Sequence, residues 1–413
     1  MKNSIKIIYL LFVALLASWL IPSAVRFITY SYDRFPMIHY SSIAKRFMMT
    51  VNEGKGKTQY KDVNGNKYTE KSYYALQPML FYRQLIMDGN LPDSVDGVSI
   101  SPEFIGKHTF TFRYKPEEKN AAGIALYPMY ESESGKVNLS DPTDMFRLRN
   151  TFAFIESADN KINKPKSALF DQALKQKGFS YPAQWAVGIP YAKKPFDDGY
   201  FSLDSQGKLF QIKLARGNAV VNDTRASQRI KVKYMMPISV KDHTLLGFVV
   251  SEDNALYALF NKNFGLRKVL EHFDVDKDKL SIFANPLYWT LWVDNQNGRT
   301  AYALDARSFT LVDHYQLHPK TKVWEQIHSW IFPFRLTFKN PNSGFIAPRL
   351  IDFSAKSLLL NLFLVIVFLC VHRRRCDSRY LTFTSVLIAI FGVFGFIAAL
   401  CNTDRNLKSI DYI

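Results

Sequence analysis

The chain has 413 residues, 47% apolar and 22% charged, a balance that excludes a globally disordered protein. Its 19 Gly and 18 Pro are too few for a collagen-like or low-complexity chain, and three cysteines exclude a disulfide scaffold or a cysteine-rich zinc protein. The formal net charge is +17.

Lys2 and Lys6 precede an apolar stretch from Ile7 to about Val25. Residues 1–25 read as an uncleaved transmembrane anchor. A cleavable signal peptide is the alternative, with Ser23-Ala24-Val25 as a passable cleavage site. Residues 26–115 read as a mixed α/β segment. Ile38 to Met49 has weak helical periodicity. Thr58 to Tyr68 reads as a hairpin around Asn64-Gly65. Pro78 to Met87 reads as a helix, with Pro78 in its first turn and Gly89 at its stop. Phe110, Phe112 and Tyr114 alternate as in a half-buried strand.

Residues 116–317 read as β-rich. One helix is expected over Ala168 to Lys177, with Ser167 as N-cap and Gly178 as stop. An internal repeat of strand, polar turn and strand recurs at Tyr200–Phe210, Gly247–Leu259 and Tyr288–Leu304. Its turn acids Asp204, Glu252 and Asp294 lie about 45 residues apart, a period that suits propeller blades or a stacked meander. Three units are too few for a closed propeller, and Phe152 to Lys161 is a poor fourth. The expected architecture is an irregular propeller-like or layered β-domain.

Residues 318–354 hold Trp324, Trp330, Phe332, Phe334 and Phe338 just before the next apolar stretch. Such a segment either rests on a bilayer or packs under the β-domain. Residues 355–401 read as a transmembrane hairpin. Ser357 to Val371 is short and spans only if Ile351 to Lys356 and His372 join it. Leu381 to Leu400 is an uncharged run of twenty residues, long enough to cross. Between them lie Arg373, Arg374, Arg375 and Arg379, which belong on the cytoplasmic side together with Lys2 and Lys6. The expectation is therefore an integral membrane protein with an α+β, mainly β outer domain and three transmembrane helices. It sits in the inner membrane, with residues 26–354 in the periplasm and the tail 402–413 also outward. Ser385, Ala389, Gly392, Gly395 and Ala399 form a small-residue stripe, either packing on the chain's own helices or docking on a partner. Cys401 is expected at the opposite face from Cys370 and Cys376. The outer domain's basic residues are scattered, as on a solvated surface. Anionic headgroups or an acidic partner are the alternative, and nucleic acid is not expected there.

No nucleotide-binding glycine loop, nucleophile elbow, H-E-x-x-H or C-x-x-C occurs. Asp274-Val275-Asp276-Lys277-Asp278 begins like a calcium loop but has Lys279 where glycine is needed and Asn285 where glutamate is needed. It reads as a solvated turn that Lys277 and Lys279 can neutralise. His314 and His318 have a metal-sharing spacing on a helix, but their flanks read as a strand. Asp197-Asp198 reads as a solvated turn whose carboxylates point apart. His108, His243, His272 and His328 have no partner evident in sequence. The reading assigns no catalytic, cofactor-binding or metal-binding residue and no cofactor.

The run Lys194-Pro195-Phe196-Asp197-Asp198-Gly199-Tyr200-Phe201 continues through Leu203-Asp204 and Lys208-Leu209-Phe210. Phe81-Tyr82-Arg83-Gln84-Leu85, Leu91-Pro92-Asp93, Lys177-Gly178-Phe179-Ser180-Tyr181-Pro182 and Tyr288-Trp289-Thr290 stand beside it. Together they resemble an uncharacterised family of membrane-anchored proteins from Gram-negative anaerobes, over nearly the whole chain. The resemblance implies a gene neighbourhood with the ATPase subunit of an ABC transporter. It implies no catalytic residues.

The expected function is that of a non-catalytic accessory or permease-like subunit of an ABC-type transport system. Its partners would be the lipid bilayer, an ABC-transporter ATPase or permease subunit, and further copies of itself, since three helices are few for a pathway. A stand-alone envelope protein that binds a ligand, senses or scaffolds is the alternative. A periplasmic hydrolase is a third reading, with no motif behind it.

Overall fold

The structure is a computed structural model that describes residues 2–29, 35–54, 56–121, 123–136, 139–319, 323–340, 342–373 and 378–401. The chain divides into two compact units. One joins Met1–Arg34 to Pro319–Ile413, and the other is Phe35–His318. The first begins with helix α1 (Lys2–Thr29), whose stretch Ile5–Thr29 is long and apolar enough to cross a membrane.

The Phe35–His318 unit opens with β1 (Met37–Ser41) and β2 (Arg46–Gly54), a hairpin where helical periodicity suggested a helix. Ile38, Tyr40, Phe47 and Met49 are buried at a spacing of two on each strand, which over so short a span mimics a helical face. Ser41 Oγ accepts from the N–H groups of Ile43 (3.2 Å) and Ala44 (2.8 Å), a side-chain turn that competes with helical bonding. β3 (Lys57–Asp62) and β4 (Lys67–Tyr68) complete this sheet around the expected Asn64-Gly65 turn. The buried Asp62 carboxylate fixes that turn. It accepts from the N–H groups of Asn64 and Asn66 (2.9 Å each), from Asn66 Nδ2 (2.8 Å) and from the Tyr68 hydroxyl (2.9 Å). Burial disfavours its charge, but these donors outweigh burial and hold the carboxyl below its ordinary value.

α2 (Glu70–Ala75) leads to α3 (Pro78–Met87), as expected from its Pro start and Gly stop. A small hairpin of β5 (Ser94–Val95) and β6 (Val98–Ser99), then α4 (Pro102–His108), reach β7 (Phe110–Tyr114). After α5 (Pro116–Lys119), β8 (Tyr127–Pro128), β9 (Asp144–Leu148) and β10 (Phe152–Glu156) form a three-stranded sheet. α6 (Lys164–Gln176) begins before the expected start, because Asn163 is the N-cap and accepts from Lys166 N at 3.1 Å. Ser167 lies inside the helix and instead ties it to β10, accepting from Phe154 N at 2.9 Å.

Three sheets follow. β11 (Trp185–Gly188), β12 (Tyr200–Leu203), β13 (Leu209–Ala215) and β14 (Asn218–Asp223) form one antiparallel meander. β15 (Val232–Pro237), β16 (Leu245–Ser251), β17 (Leu256–Phe260) and β18 (Leu266–Leu270) form the next. β19 (Lys279–Ala284), β20 (Tyr288–Asn295), β21 (Gly298–Asp305) and β22 (Leu311–Leu317) form the last. Each repeat seen in the sequence is the central hairpin of one meander: β12–β13, β16–β17 and β20–β21. β7 adds a fifth strand beside β19, with Phe112 opposite Ile282, so residues on both sides of 115 share one unit. One core joins this sheet to β15–β18 through Phe248, Phe273 and Leu291, and a second joins α6 to β9–β14 through Phe146, Phe154 and Phe210. The unit is mainly β, with several separate sheets.

The other unit resumes with α7 (Val323–Ile331) and a short ladder of β23 (Arg335–Thr337) and β24 (Arg349–Ile351). Three helices follow: α8 (Ser357–His372, 16 residues), α9 (Ser378–Phe391, 14 residues) and α10 (Val393–Leu400, 8 residues). Here the expectation of three spanning helices is corrected, since among the described residues only α1 has the length to cross by itself. At 1.5 Å per residue, α8 and α9 reach about 24 and 21 Å.

The twenty-residue apolar run is not one helix. It reverses at Gly392, whose φ is +56°. A Cβ at Gly392 would sit 2.2 Å from Asn361 Oδ1, and one at Gly395 would sit 2.7 Å from the Leu387 carbonyl oxygen. Asn361 Nδ2 donates to the Ala389 carbonyl (3.0 Å), which the break frees from its helical partner. α10 then runs back along the bundle. Phe394 packs with Ala17 and Phe332, while Ala398 packs with Leu10 and Ala14, and Ala399 with Phe368 and Ile388. Cys401 therefore ends near the Cys370 end of α8, not at the opposite face. The small-residue stripe is split by the reversal, and Gly395 faces α9 of the same chain. Phe332, Phe334 and Phe338 pack on Phe394, Phe391 and Trp19. Arg374, Arg375, Cys376, the tail 402–413 and the Trp324 side chain lie outside the described residues.

Candidate functional site

Three sheets of the Phe35–His318 unit end in β7, β11 and β15. These edge strands, with Tyr127, Ala121 and residues 123–125, line one cavity of about 830 Å³. An edge strand leaves alternate N–H and C=O groups unpaired on its outer side. The cavity wall is therefore both apolar, from the side chains, and hydrogen-bonding, from the backbone.

Local sequence explains how the wall is held. β15 carries a bulge between Val232 and Tyr234, leaving Lys233 without a ladder partner. Trp185 Nε1 donates to the Lys233 carbonyl at 3.1 Å, tying β11 to β15. The Trp185 ring meets Tyr234 edge-on at 5.4 Å, and Tyr234 faces Tyr114 at 6.4 Å. On the other side Tyr127 and Tyr200 lie 5.5 Å apart. Tyr200 donates to the Pro128 carbonyl (2.8 Å) and Tyr114 to that of Val275 (2.8 Å). Burial pushes the hydroxyls of Tyr114, Tyr200 and Tyr234 well above the ordinary phenol value, so all are neutral donors. Gly188 is required by contact: a Cβ there would lie 2.5 Å from the Tyr200 ring.

Arg113, Glu118 and Lys119 are the charged side chains of the wall, and burial pushes the Glu118 carboxyl above its ordinary value although it accepts from Lys115 N at 3.2 Å. Lys119 pairs with Asp276, which also holds Lys233 at 3.0 Å. Arg113 is exposed on β7 and has no ion pair among the described residues. An aromatic wall with one available guanidinium suits an apolar or aromatic ligand carrying an acidic group, or an extended peptide that adds to an edge.

A second constellation lies in the segment joining β11 to β12. The Asp197 and Asp198 carboxylates point apart, as expected, but both are shielded instead of solvated. Asp197 pairs with Lys194, each side chain being 2% exposed, and accepts from Ser132 Oγ at 2.6 Å. Lys194 also donates to the Ile189 carbonyl (2.8 Å) and sits 4.7 Å from the Tyr130 ring centre. Asp198 meets His243 Nε2 at 2.9 Å, and His243 stacks on Phe196 at 3.9 Å. These residues clamp the segment to its neighbours.

The fold also supplies a partner for His108, Asp242 at 3.0 Å. His314 lies on β22, the strand its flanks suggested, and His318 follows the strand's end. In the calcium-like loop Lys277 pairs with Asp274 (3.0 Å), while Lys119 and Lys233, from other elements, hold Asp276. Asp278 is buried and accepts from Asp274 N (2.9 Å), so the loop is knotted more tightly than a solvated turn. None of the cavity residues was singled out from sequence as a site. Trp185 and Tyr234 carry no marker in sequence, and neither does the bulge that unites them.

The family of the domain of unknown function DUF4857 matches residues 37–304. The chain belongs to this family. The match starts with β1 and ends within β21, so the DUF4857 unit is the β-rich part and carries the cavity. An uncharacterised family, expected along nearly the whole chain, is thus shown for residues 37–304. No curated protein matches the chain. Among solved structures it is similar to the β-propeller domain of Nup133 from Vanderwaltozyma polyspora, at 11% identity and a TM-score of 0.21. That match covers 55% of this chain and 66% of the other, just under two thirds.

Proposed function

We propose that the protein is a membrane-anchored, non-catalytic binding subunit, whose DUF4857 unit takes a ligand or partner segment into the cavity between β7, β11 and β15. The cavity carries the reading, because strand edges and aromatic rings are binding chemistry. We read the edges that converge on it as a propeller-like arrangement. The resemblance noted above adds the larger setting, an accessory or permease-like subunit of an ABC-type transport system in the inner membrane.

The helical unit supports anchoring. α1 contributes Leu10, Ala14 and Ala17 to the buried interior, which supports reading it as a retained anchor. Outside, Ile8, Phe12, Leu359, Leu362 and Phe363 are each about 60% exposed, apolar surface that water penalises. In this reading α1 and α8 cross the bilayer, with Lys356 and Arg373 snorkelling at the ends of the short helix. The α9–α10 hairpin enters and leaves on one side, so Cys401 emerges on the side of Cys370. Single-cysteine variants labelled with an impermeant maleimide in sealed spheroplasts are expected to react together, only after permeabilisation. Labelling of Cys401 alone from outside would restore a third crossing.

A mild-detergent pull-down of the tagged full chain from its native membrane tests the transport setting. A stoichiometric ATPase subunit is the expected companion. Recovery of the protein alone, from membranes that contain that ATPase, removes the transporter role. The stand-alone envelope ligand-binding protein, which the same cavity favours, would then remain.

A further inference from the structure

We propose that the DUF4857 unit carries a second ligand site, a cleft for a sugar phosphate between the β12–β13 turn and the segment joining β14 to β15. The cleft has a volume of about 550 Å³, ordinary for a small-molecule site, and shares no lining residue with the cavity at β7, β11 and β15. Its chemistry is different. None of its lining residues is aromatic, and five are charged: Lys208, Arg225, Lys231, Asp223 and Glu252. Among the described residues none of the five makes an ion pair, although three are cations and two are acids.

Charges of both signs that share a cleft without pairing are open to a ligand that needs both. The guanidinium and the two ammonium groups suit phosphate oxygens. Asp223 uses one oxygen on the Arg225 N–H (2.8 Å), while the Glu252 carboxylate has no hydrogen bond among the described residues. Carboxylates repel a bare anion but accept from hydroxyl groups. Gln206 and Gln228 add two exposed amides, able to donate and accept. A body rich in hydroxyl groups with one phosphate uses the whole set, and the lack of aromatic rings argues against an apolar ligand.

The cations stand on pinned backbone. Asp204 is fully buried and accepts from Gln206 N (2.9 Å) and Lys208 N (2.8 Å), which fixes the turn that carries Lys208. Arg225 is left-handed at φ +55°, between Thr224, whose Oγ1 donates to the Leu209 carbonyl (2.7 Å), and the buried Ala226. Ser227 Oγ accepts from Leu209 N at 3.1 Å, so β13 holds this segment through both groups of one residue. The Lys231 carbonyl accepts from Glu252 N at 2.8 Å, which ties the third cation to the free acid's own backbone. Backbone fixed in advance reduces the ordering cost of binding.

The test is calorimetric titration of the full chain, in a detergent without a sugar headgroup, with glucose 6-phosphate, glucose, glucuronate and inorganic phosphate. Glucose 6-phosphate is expected to bind at least about tenfold more tightly than glucose or inorganic phosphate. Arg225→Gln/Lys231→Gln, at two exposed positions, is expected to weaken it at least about tenfold with an unchanged melting temperature. Glu252→Ala is expected to weaken glucose 6-phosphate while leaving inorganic phosphate no weaker, an outcome that charge repulsion alone does not give. Arg113→Gln, in the other cavity, is expected to change nothing. No binding of glucose 6-phosphate, or undiminished binding by the glutamine variant, overturns the site. Equal binding of inorganic phosphate, or a gain for both phosphates in Glu252→Ala, overturns the sugar. Tighter binding of glucuronate overturns the phosphate, and loss of binding in Arg113→Gln moves the ligand to the first cavity and overturns the cleft.

Discussion

Lys194→Ala is expected to lower the stability of the DUF4857 unit by about 3–5 kcal/mol, because it strands a buried carboxylate. Asp197 is then left with only the Ser132 hydroxyl, and its side chain cannot reach water at 2% exposure. Lys194 in turn makes three contacts that alanine abolishes: the Asp197 pair, the Ile189 carbonyl and the face of Tyr130. Denaturant unfolding of the full chain in detergent, followed by tryptophan fluorescence, measures the loss. The double variant Lys194→Ala/Asp197→Ala is expected to recover much of it, since removing both charges removes the uncompensated one. A single variant within about 1 kcal/mol of wild type, inside the range of exposed pairs, would show that the clamp is solvated.

The second large effect is a pH dependence centred on His39. Its ring lies between Phe283 (5.1 Å) and Trp292 (5.0 Å), and burial alone lowers its pKa from 6.5 to about 4. The folded state thus holds the ring neutral, while the unfolded chain takes a proton below pH 6.5. Stability is complete above that value, falls as pH drops, and is fully lost from this source below about pH 4. At 1.36 kcal/mol per unit the whole effect is about 3 kcal/mol. Asp62, held low, acts only at more acidic pH. Asp278, raised by burial, works in the opposite direction within part of the window. Comparison with His39→Phe isolates the term. The variant's stability is expected to decline less than that of wild type between pH 6.5 and 4.5, and parallel curves would show that the imidazole is protonated in the fold.

Several elements were legible because their signals are local. Asn64-Gly65 needs only its own turn geometry, and α3 is bounded by Pro78 and Gly89 within a few residues. The three hairpins of the repeat were visible because each strand's apolar run and polar turn lie together in sequence. Ile38 to Met49 misled because a two-residue period over short strands overlaps a helical one, and the Ser41 side-chain turn was not recognised. The reversal at Gly392 was missed for another reason. An apolar run carries no mark of direction, and the group that fixes the turn, Asn361, lies on α8. The cavity is further from view. It exists only where three sheet edges meet, and its tie from Trp185 to the Lys233 carbonyl depends on a bulge that composition does not announce. The partners of His108 and His243 likewise arrive from distant turns.

The pairing of β7 with β19 sets an order for the chain's assembly. Phe110, Phe112 and Tyr114 leave synthesis early, yet the strand they complete is Lys279–Ala284. Until that strand has been delivered, β7 is an unpaired apolar edge, the kind of segment that recruits wrong partners. β1 is under the same constraint, since Tyr40 N–H bonds to Thr290 Oγ1 and the Ile38 carbonyl accepts from Trp292. Closure across so long an interval is slow by its entropy. The unit must therefore remain open, and its cavity unformed, until nearly all of the β-rich chain is present, so that binding competence arrives at one late moment.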